Sequence, residues 1–162
     1  MKKAVGKAMS LLVGGAAGAV AGGMAVNSKV GKKAKEQKEV FKKVLSFYWI
    51  YNQWLSVHQK GKSLVEYFER NHYETVAIYG LKELGERLYD ELKDSNIKVK
   101  YIIDKNADAL YSDVDIVTPD DDLEPVDVIV VTATYYFNEI EEMLCDKVDY
   151  PVISLEDIVY EV

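Results

Sequence analysis

Hydrophobic and polar positions divide the chain into three stretches with different periods. From Ala8 to Val26 there is no period: nineteen consecutive residues carry no charge, and lysines stand on both sides. About 20 apolar residues, rising about 1.5 Å each as a helix, cross a bilayer core. From Glu36 to Val57, Val40, Phe41, Val44, Leu45, Tyr48, Tyr51 and Leu55 recur at spacings of one, three and four, which is one broad face of a helix. Phe47, Ile50 and Trp54 widen that face beyond what a single neighbour covers, so this helix is expected to be buried on two sides or to pair with another copy. Its aromatic cluster starts about 20 residues past the uncharged run, roughly 30 Å along a helix. That is too far for a membrane-interface belt, and core or dimer packing is the expectation.

A break follows at Gly61. Ser63 and Glu66 have the spacing of a capping box, and Leu64, Val65, Tyr67 and Phe68 form the buried side of a short helix. Gly61-Lys62-Ser63 does not make a phosphate loop, because Ser56 stands where its first glycine belongs. From Thr75 onward strand and helix signals alternate: strands at Thr75–Tyr79, Lys98–Ile103, Asp115–Val117, Val126–Thr132 and Pro151–Ile153, with helices at Glu83–Asp94, Tyr136–Leu144 and Leu155–Val159. VDVIVVT is nearly all apolar, as a parallel strand covered on both faces must be. The expected class is α/β, an open parallel sheet of about five strands in the doubly wound order 3-2-1-4-5. The expected divisions are 1–35, 36–73 and 74–162.

Glycine changes the reading of the first stretch. Gly14, Gly18 and Gly22 recur every four residues, the spacing that lets two helices approach closely in lipid. A membrane helix over 8–26 is therefore the leading expectation; a cleaved signal peptide, a flexible Gly/Ala tail and a helix packed on a partner protein stay open. Charge adds an orientation. Residues 1–43 sum to +8 and the remainder to −15, within a net charge of −7. Seven lysines follow the uncharged run within about 20 residues, which by the positive-inside rule places the body in the cytoplasm. A homo-oligomer through Gly14, Gly18, Gly22 and the aromatic helix 40–55 is expected, and nucleic acid is not an expected partner of so acidic a body. The single cysteine excludes a disulfide framework and a CxxC metal site.

The glycine repeat followed by Ser28-Lys29-Val30-Gly31-Lys32-Lys33 resembles the YtxH-like small membrane proteins of bacteria, which implies a single-pass helix in the bacterial cytoplasmic membrane. In the body, Val76-Ala77-Ile78-Tyr79-Gly80 through Gly85, Tyr101-Ile102-Ile103-Asp104, the strand Val126–Thr132 and Val152-Ile153-Ser154-Leu155 together look like a Rossmann-like module. Such modules accompany bacterial sugar-nucleotide and cell-surface polysaccharide enzymes. The resemblance implies a nucleotide ligand, whether a sugar nucleotide or an NAD-like one, and accessory work in envelope polysaccharide synthesis.

The candidate binding residues sit at the strand ends. Gly80 permits a tight turn out of the first strand, with Leu81 and Lys82 leading into a helix whose Gly85 packs close to the sheet. Free N–H groups at that helix start favour phosphate. Asp104 follows Gly80 by 24 residues, near the offset of a carboxylate that accepts ribose hydroxyls; a cap or loop role for it stays open. Thr132, Thr134 and Tyr135 are expected to line the opposite wall, with Tyr136 packed inward. Lys82 occupies the fingerprint position where a dinucleotide site needs glycine, so an ordinary NAD site is not expected.

Asp120-Asp121-Asp122 reads as a solvated helix start, Cys145 as a small core residue, and His58 and His72 as solvated or capping side chains at helix ends. No Ser/His/Asp or Cys/His set converges on one strand end, and no catalytic or metal residue is assigned. The expected function is a membrane-anchored nucleotide-binding module. A non-enzymatic oligomerising scaffold with a relic nucleotide fold is the alternative, and an NAD-dependent nucleotide-sugar enzyme the second.

Overall fold

The computed structural model describes the side chains of residues 31–162. The uncharged segment 8–26, with Gly14, Gly18 and Gly22, lies outside these described residues. The chain divides into two compact units, Met1–Leu45 and Ser46–Val162. Helix α1 is Lys2–Gln59. Among the described residues no helix is long and apolar enough to cross a membrane.

After α1 come α2 (Val65–Arg70), β1 (Thr75–Tyr79), α3 (Glu83–Leu92), β2 (Lys98–Ile103), β3 (Asp115–Val117), β4 (Val128–Val131), α4 (Phe137–Cys145), β5 (Val152–Ser154) and α5 (Leu155–Glu161). The five strands form one sheet, all parallel, in the order β3-β2-β1-β4-β5. The order reverses direction between β1 and β4, so the carboxyl ends of these two strands frame the crevice of an open α/β sheet.

Strand alternation explains the two cores. Val76 and Ile78 of β1, with Ile102, Val128 and Val130, face one side, where they meet Leu84, Leu88 and Leu92 of α3, Ile158 of α5, Phe68 of α2 and Ile50, Trp54 and Val57 of α1. Ala77 and Tyr79, with Tyr101, Ile103, Ile129 and Val131, face the other, covered by Ile140 and Leu144 of α4. In α1 it is Ile50, Trp54 and Val57 that are buried in their own unit, whereas Val40, Phe41, Val44, Leu45, Tyr48, Tyr51 and Leu55, the face that the periodicity defines, are exposed.

Three expectations require correction. Asp120-Asp121-Asp122 starts no helix: Asp121 Oδ2 accepts the Thr118 N–H at 2.7 Å and its hydroxyl at 2.8 Å, closing a local turn. Tyr136 is exposed rather than packed inward, because it precedes α4 in a 3-10 turn and does not share that helix's phase. Cys145 is also exposed: it directly follows buried Leu144, about 100° further round the helix.

β1 and β4 are clasped at their entry. Asp127 Oδ2 accepts the N–H of Thr75 at 2.7 Å, the N–H of Glu74 at 2.9 Å and the Thr75 hydroxyl at 2.9 Å. These bonds, first the Thr75 N–H, hold the Asp127 carboxyl below its ordinary range. A carboxyl whose folded pKa is depressed adds stability that is complete above the unfolded value of about 3.9 and is lost as pH falls through the folded value. The Asp127→Asn variant should therefore be less stable at neutral pH and show a shallower loss of stability in acid, read by urea unfolding at stepped pH.

Candidate functional site

The β1–α3 turn is shaped by two glycines. Gly80 has φ +95°, a left-handed conformation that suits glycine, and its N–H donates to the Ile103 carbonyl at 2.8 Å. Gly85 is required by proximity: a Cβ there would stand 2.0 Å from the Gly80 carbonyl oxygen. The start of α3 is thus pressed directly onto the turn. Thr132, just past β4, secures the same carbonyl; its hydroxyl donates to Gly80 O at 2.7 Å, with Tyr79 O at 3.0 Å.

Asp104 braces β2 against this turn. Its Oδ2 accepts the Leu81 N–H at 3.0 Å, and its Oδ1 accepts the Asn106 N–H at 2.9 Å and the Asn106 side-chain amide at 3.3 Å. The carboxylate is buried. The Leu81 side chain turns into the core, while Lys82 and its ammonium are exposed.

Helix α3 begins without a cap. Lys82, the N-cap, is extended and gives no side-chain bond to the helix. The first bond into the helix runs from the Glu86 N–H to the Lys82 carbonyl at 2.8 Å, and the N–H groups of Glu83, Leu84 and Gly85 meet no protein acceptor.

Two hydroxyls near the ends of β1 and β4 are unsatisfied. Tyr79 Oη at the end of β1 and Thr134 Oγ1 beyond β4 are both buried without a hydrogen-bond partner. Burial, and after it the negative charges of Asp104 and Asp120, raise the Tyr79 hydroxyl above its ordinary pKa and keep it a donor. Leaving such a group unpaired costs roughly 1–3 kcal/mol. Tyr135 is half-buried, and its ring meets that of Tyr136 edge-on with centroids 5.3 Å apart.

Of the eight candidate residues, Gly80, Leu81, Lys82, Asp104, Thr132, Thr134 and Tyr135 lie in the turns at the carboxyl ends of β1, β2 and β4, and Gly85 lies in the first turn of α3. Gly80 is in direct contact with Gly85 and Thr132, and Asp104 bonds the next residue of the turn, Leu81. The Tyr79 hydroxyl is an addition; its place as the last residue before a turn glycine is the sequence signal for it.

A second polar centre lies on the α1, α2 and α3 side. Glu91 Oε2 accepts the Trp54 indole N–H at 2.7 Å and stands 3.1 Å from His58 Nε2. Its Oε1 accepts the Leu64 N–H at 2.7 Å and the Ser63 hydroxyl at 2.9 Å. Ser63 also forms the expected capping pair: its N–H donates to Glu66 and its hydroxyl accepts the Val65 N–H. This centre is structural, tying α1 and the following turn to α3. Among the described residues no group of three or more His, Cys, Asp or Glu side chains could hold a metal ion.

Fold and site define an α/β protein with a five-stranded all-parallel open sheet and polar groups gathered at its β1/β4 switch point. Set beside known proteins, the chain matches no family model, no curated protein and no solved structure.

Proposed function

We propose that the Ser46–Val162 unit is a Rossmann-like module that binds a nucleotide or sugar nucleotide, held at a cytoplasmic membrane face by the 8–26 segment. The observation that carries this reading is the pair of buried, unpartnered hydroxyls, Tyr79 at the end of β1 and Thr134 just past β4. Open α/β sheets bind ligands in that crevice. The uncapped N–H groups of Glu83, Leu84 and Gly85 offer an anion site beside it. Leu81 N–H is already engaged by Asp104, and Lys82 stands where a dinucleotide's backbone path needs glycine. A phosphate on the N–H groups that open α3 fits this arrangement better than a stretched dinucleotide.

The test is thermal unfolding of the full chain in a membrane mimetic, with UMP, a UDP-sugar, NAD and coenzyme A each titrated in. Ligand at 100 times its Kd adds about 2.7 kcal/mol to stability. A rise in Tm with UMP or the UDP-sugar supports the reading, and no rise with any of the four refutes it. Thr134→Val and Tyr79→Phe remove the unpaired hydroxyls at nearly constant shape. Both variants should be as stable as the parent, or up to about 1 kcal/mol more so, when ligand is absent, and should lose the ligand-induced shift.

A further inference from the structure

Residues 31–45 are the described part of the Met1–Leu45 unit, and all of them belong to helix α1. Six lysines, Lys32, Lys33, Lys35, Lys38, Lys42 and Lys43, stand there against Glu36 and Glu39, a net charge of +4. At about 100° per residue, Val40, Val44, Phe41 and Leu45 fall within an arc of about 140° on one side of the helix. In that order they are 63%, 59%, 64% and 41% exposed. Lys38 lies about 20° past the Leu45 edge of this arc, with Lys42 and Lys35 next to it; Lys43 and Lys32 lie beyond the Val40 edge, with Glu36. Lys33 enters the arc at its N-terminal end, two turns before Val40. Glu39 stands opposite the arc, 3.0 Å from the Lys42 ammonium. A short apolar stripe bordered by lysines is the pattern of a helix that lies in the plane of a membrane interface.

We propose that residues 31–45 lie along an anionic lipid surface, with Val40, Phe41, Val44 and Leu45 set among the headgroups and the lysines paired with lipid phosphates. The inference needs neither the nucleotide reading nor a spanning 8–26 segment. Charge complementarity selects the occupant. Each lysine near an anionic leaflet multiplies partitioning about fivefold. A lysine at the border of the stripe lays its methylene stem along the acyl boundary and lifts its ammonium to the phosphates. A second copy would instead set another +4 against the first. Four apolar side chains also fall far short of the roughly 20–30 residues a side of a standard protein interface, whereas shallow insertion into lipid requires no matching surface. Nucleic acid would be met by lysines filling one face, and here they border an apolar one.

The test uses the full chain with its single cysteine removed (Cys145→Ser), in nanodiscs of phosphatidylcholine alone or of equal parts phosphatidylcholine and phosphatidylglycerol. A polarity-sensitive fluorophore is attached at Val44→Cys or, separately, at Glu39→Cys. In the anionic discs the Val44 label should shift to the blue, lose access to acrylamide and return toward its aqueous emission as salt is raised. It should stay aqueous in the neutral discs, and the Glu39 label should stay aqueous in both. The equilibrium constant between the two emission states should fall about 25-fold in the double variant Lys35→Gln, Lys38→Gln and at least about tenfold in Phe41→Ser. The Tm of the Ser46–Val162 unit, which contains none of these positions, should not change. A chain that leaves the neutral discs yet shows the shift on anionic ones supports the inference and removes only the span from the functional reading. No shift in the anionic discs, an equal shift in neutral discs, a shift already present without lipid (as a second copy or an acidic protein would give), a shift that survives high salt, or an equal shift at Glu39 would each overturn the proposal.

Discussion

Gly85→Ala is expected to destabilise the Ser46–Val162 unit by about 3 kcal/mol or more, lowering its Tm by at least about 10 °C. The added Cβ would fall 2.0 Å from the Gly80 carbonyl oxygen and 3.1 Å from its carbon. No flexible side chain can yield there. The Gly80 carbonyl is held by the Thr132 hydroxyl and the Gly80 N–H by Ile103, so relief would have to move the turn, β2 and β4 together. Gly61→Ala separates this effect from an ordinary glycine penalty. Gly61 has φ +73° and open space around it, so alanine there costs only backbone strain, about 1 kcal/mol. Thermal unfolding of both variants decides the matter. Equal losses would mean that the pressing of α3 onto the turn is not what Gly85 is for.

Gly85 was legible in the sequence because close packing of a helix on a strand end demands a residue without a side chain, whatever the ligand. The strands were legible for a related reason. Each of β1 and β2 is a short apolar run stopped by a residue of special chemistry, Gly80 or Asp104, and β4 is an apolar run that only a two-sided burial requires. For five such runs joined by helical crossovers the doubly wound order is the natural expectation, and β3-β2-β1-β4-β5 is the order found.

What stayed hidden depended on bonds between residues far apart in sequence. Asp104 reads equally well as a ribose acceptor or a cap, and only the 3.0 Å bond to Leu81 makes it a brace across the sheet ends. Asp127 sits in an apolar run with no local partner, because its partners are 52 and 53 residues away. In the Asp120–Asp122 stretch a local bond from Thr118 to Asp121 outcompetes the helix that three acidic residues after Pro119 favour. Glu91 reads as part of the solvated face of α3, though its carboxylate is almost enclosed.

Glu91→Ala carries the second large expectation, a loss of about 3 kcal/mol. The carboxylate accepts from Trp54, Ser63 and Leu64 and neighbours His58, so alanine leaves the Trp54 indole and Leu64 amide N–H groups buried without acceptors. Glu91→Gln should lose less, about 1–2 kcal/mol. Its amide oxygen can serve Ser63 and Leu64, but its NH2 would then face the indole donor. Because these bonds tie α1 to α3, the loss should appear first as release of the helix. In a Trp49→Phe background Trp54 is the only tryptophan, and its emission should shift to the red at lower urea than the loss of sheet circular dichroism. Coincident transitions in Glu91→Ala would mean that α1 and the sheet unfold as one unit and that Glu91 does not control their attachment.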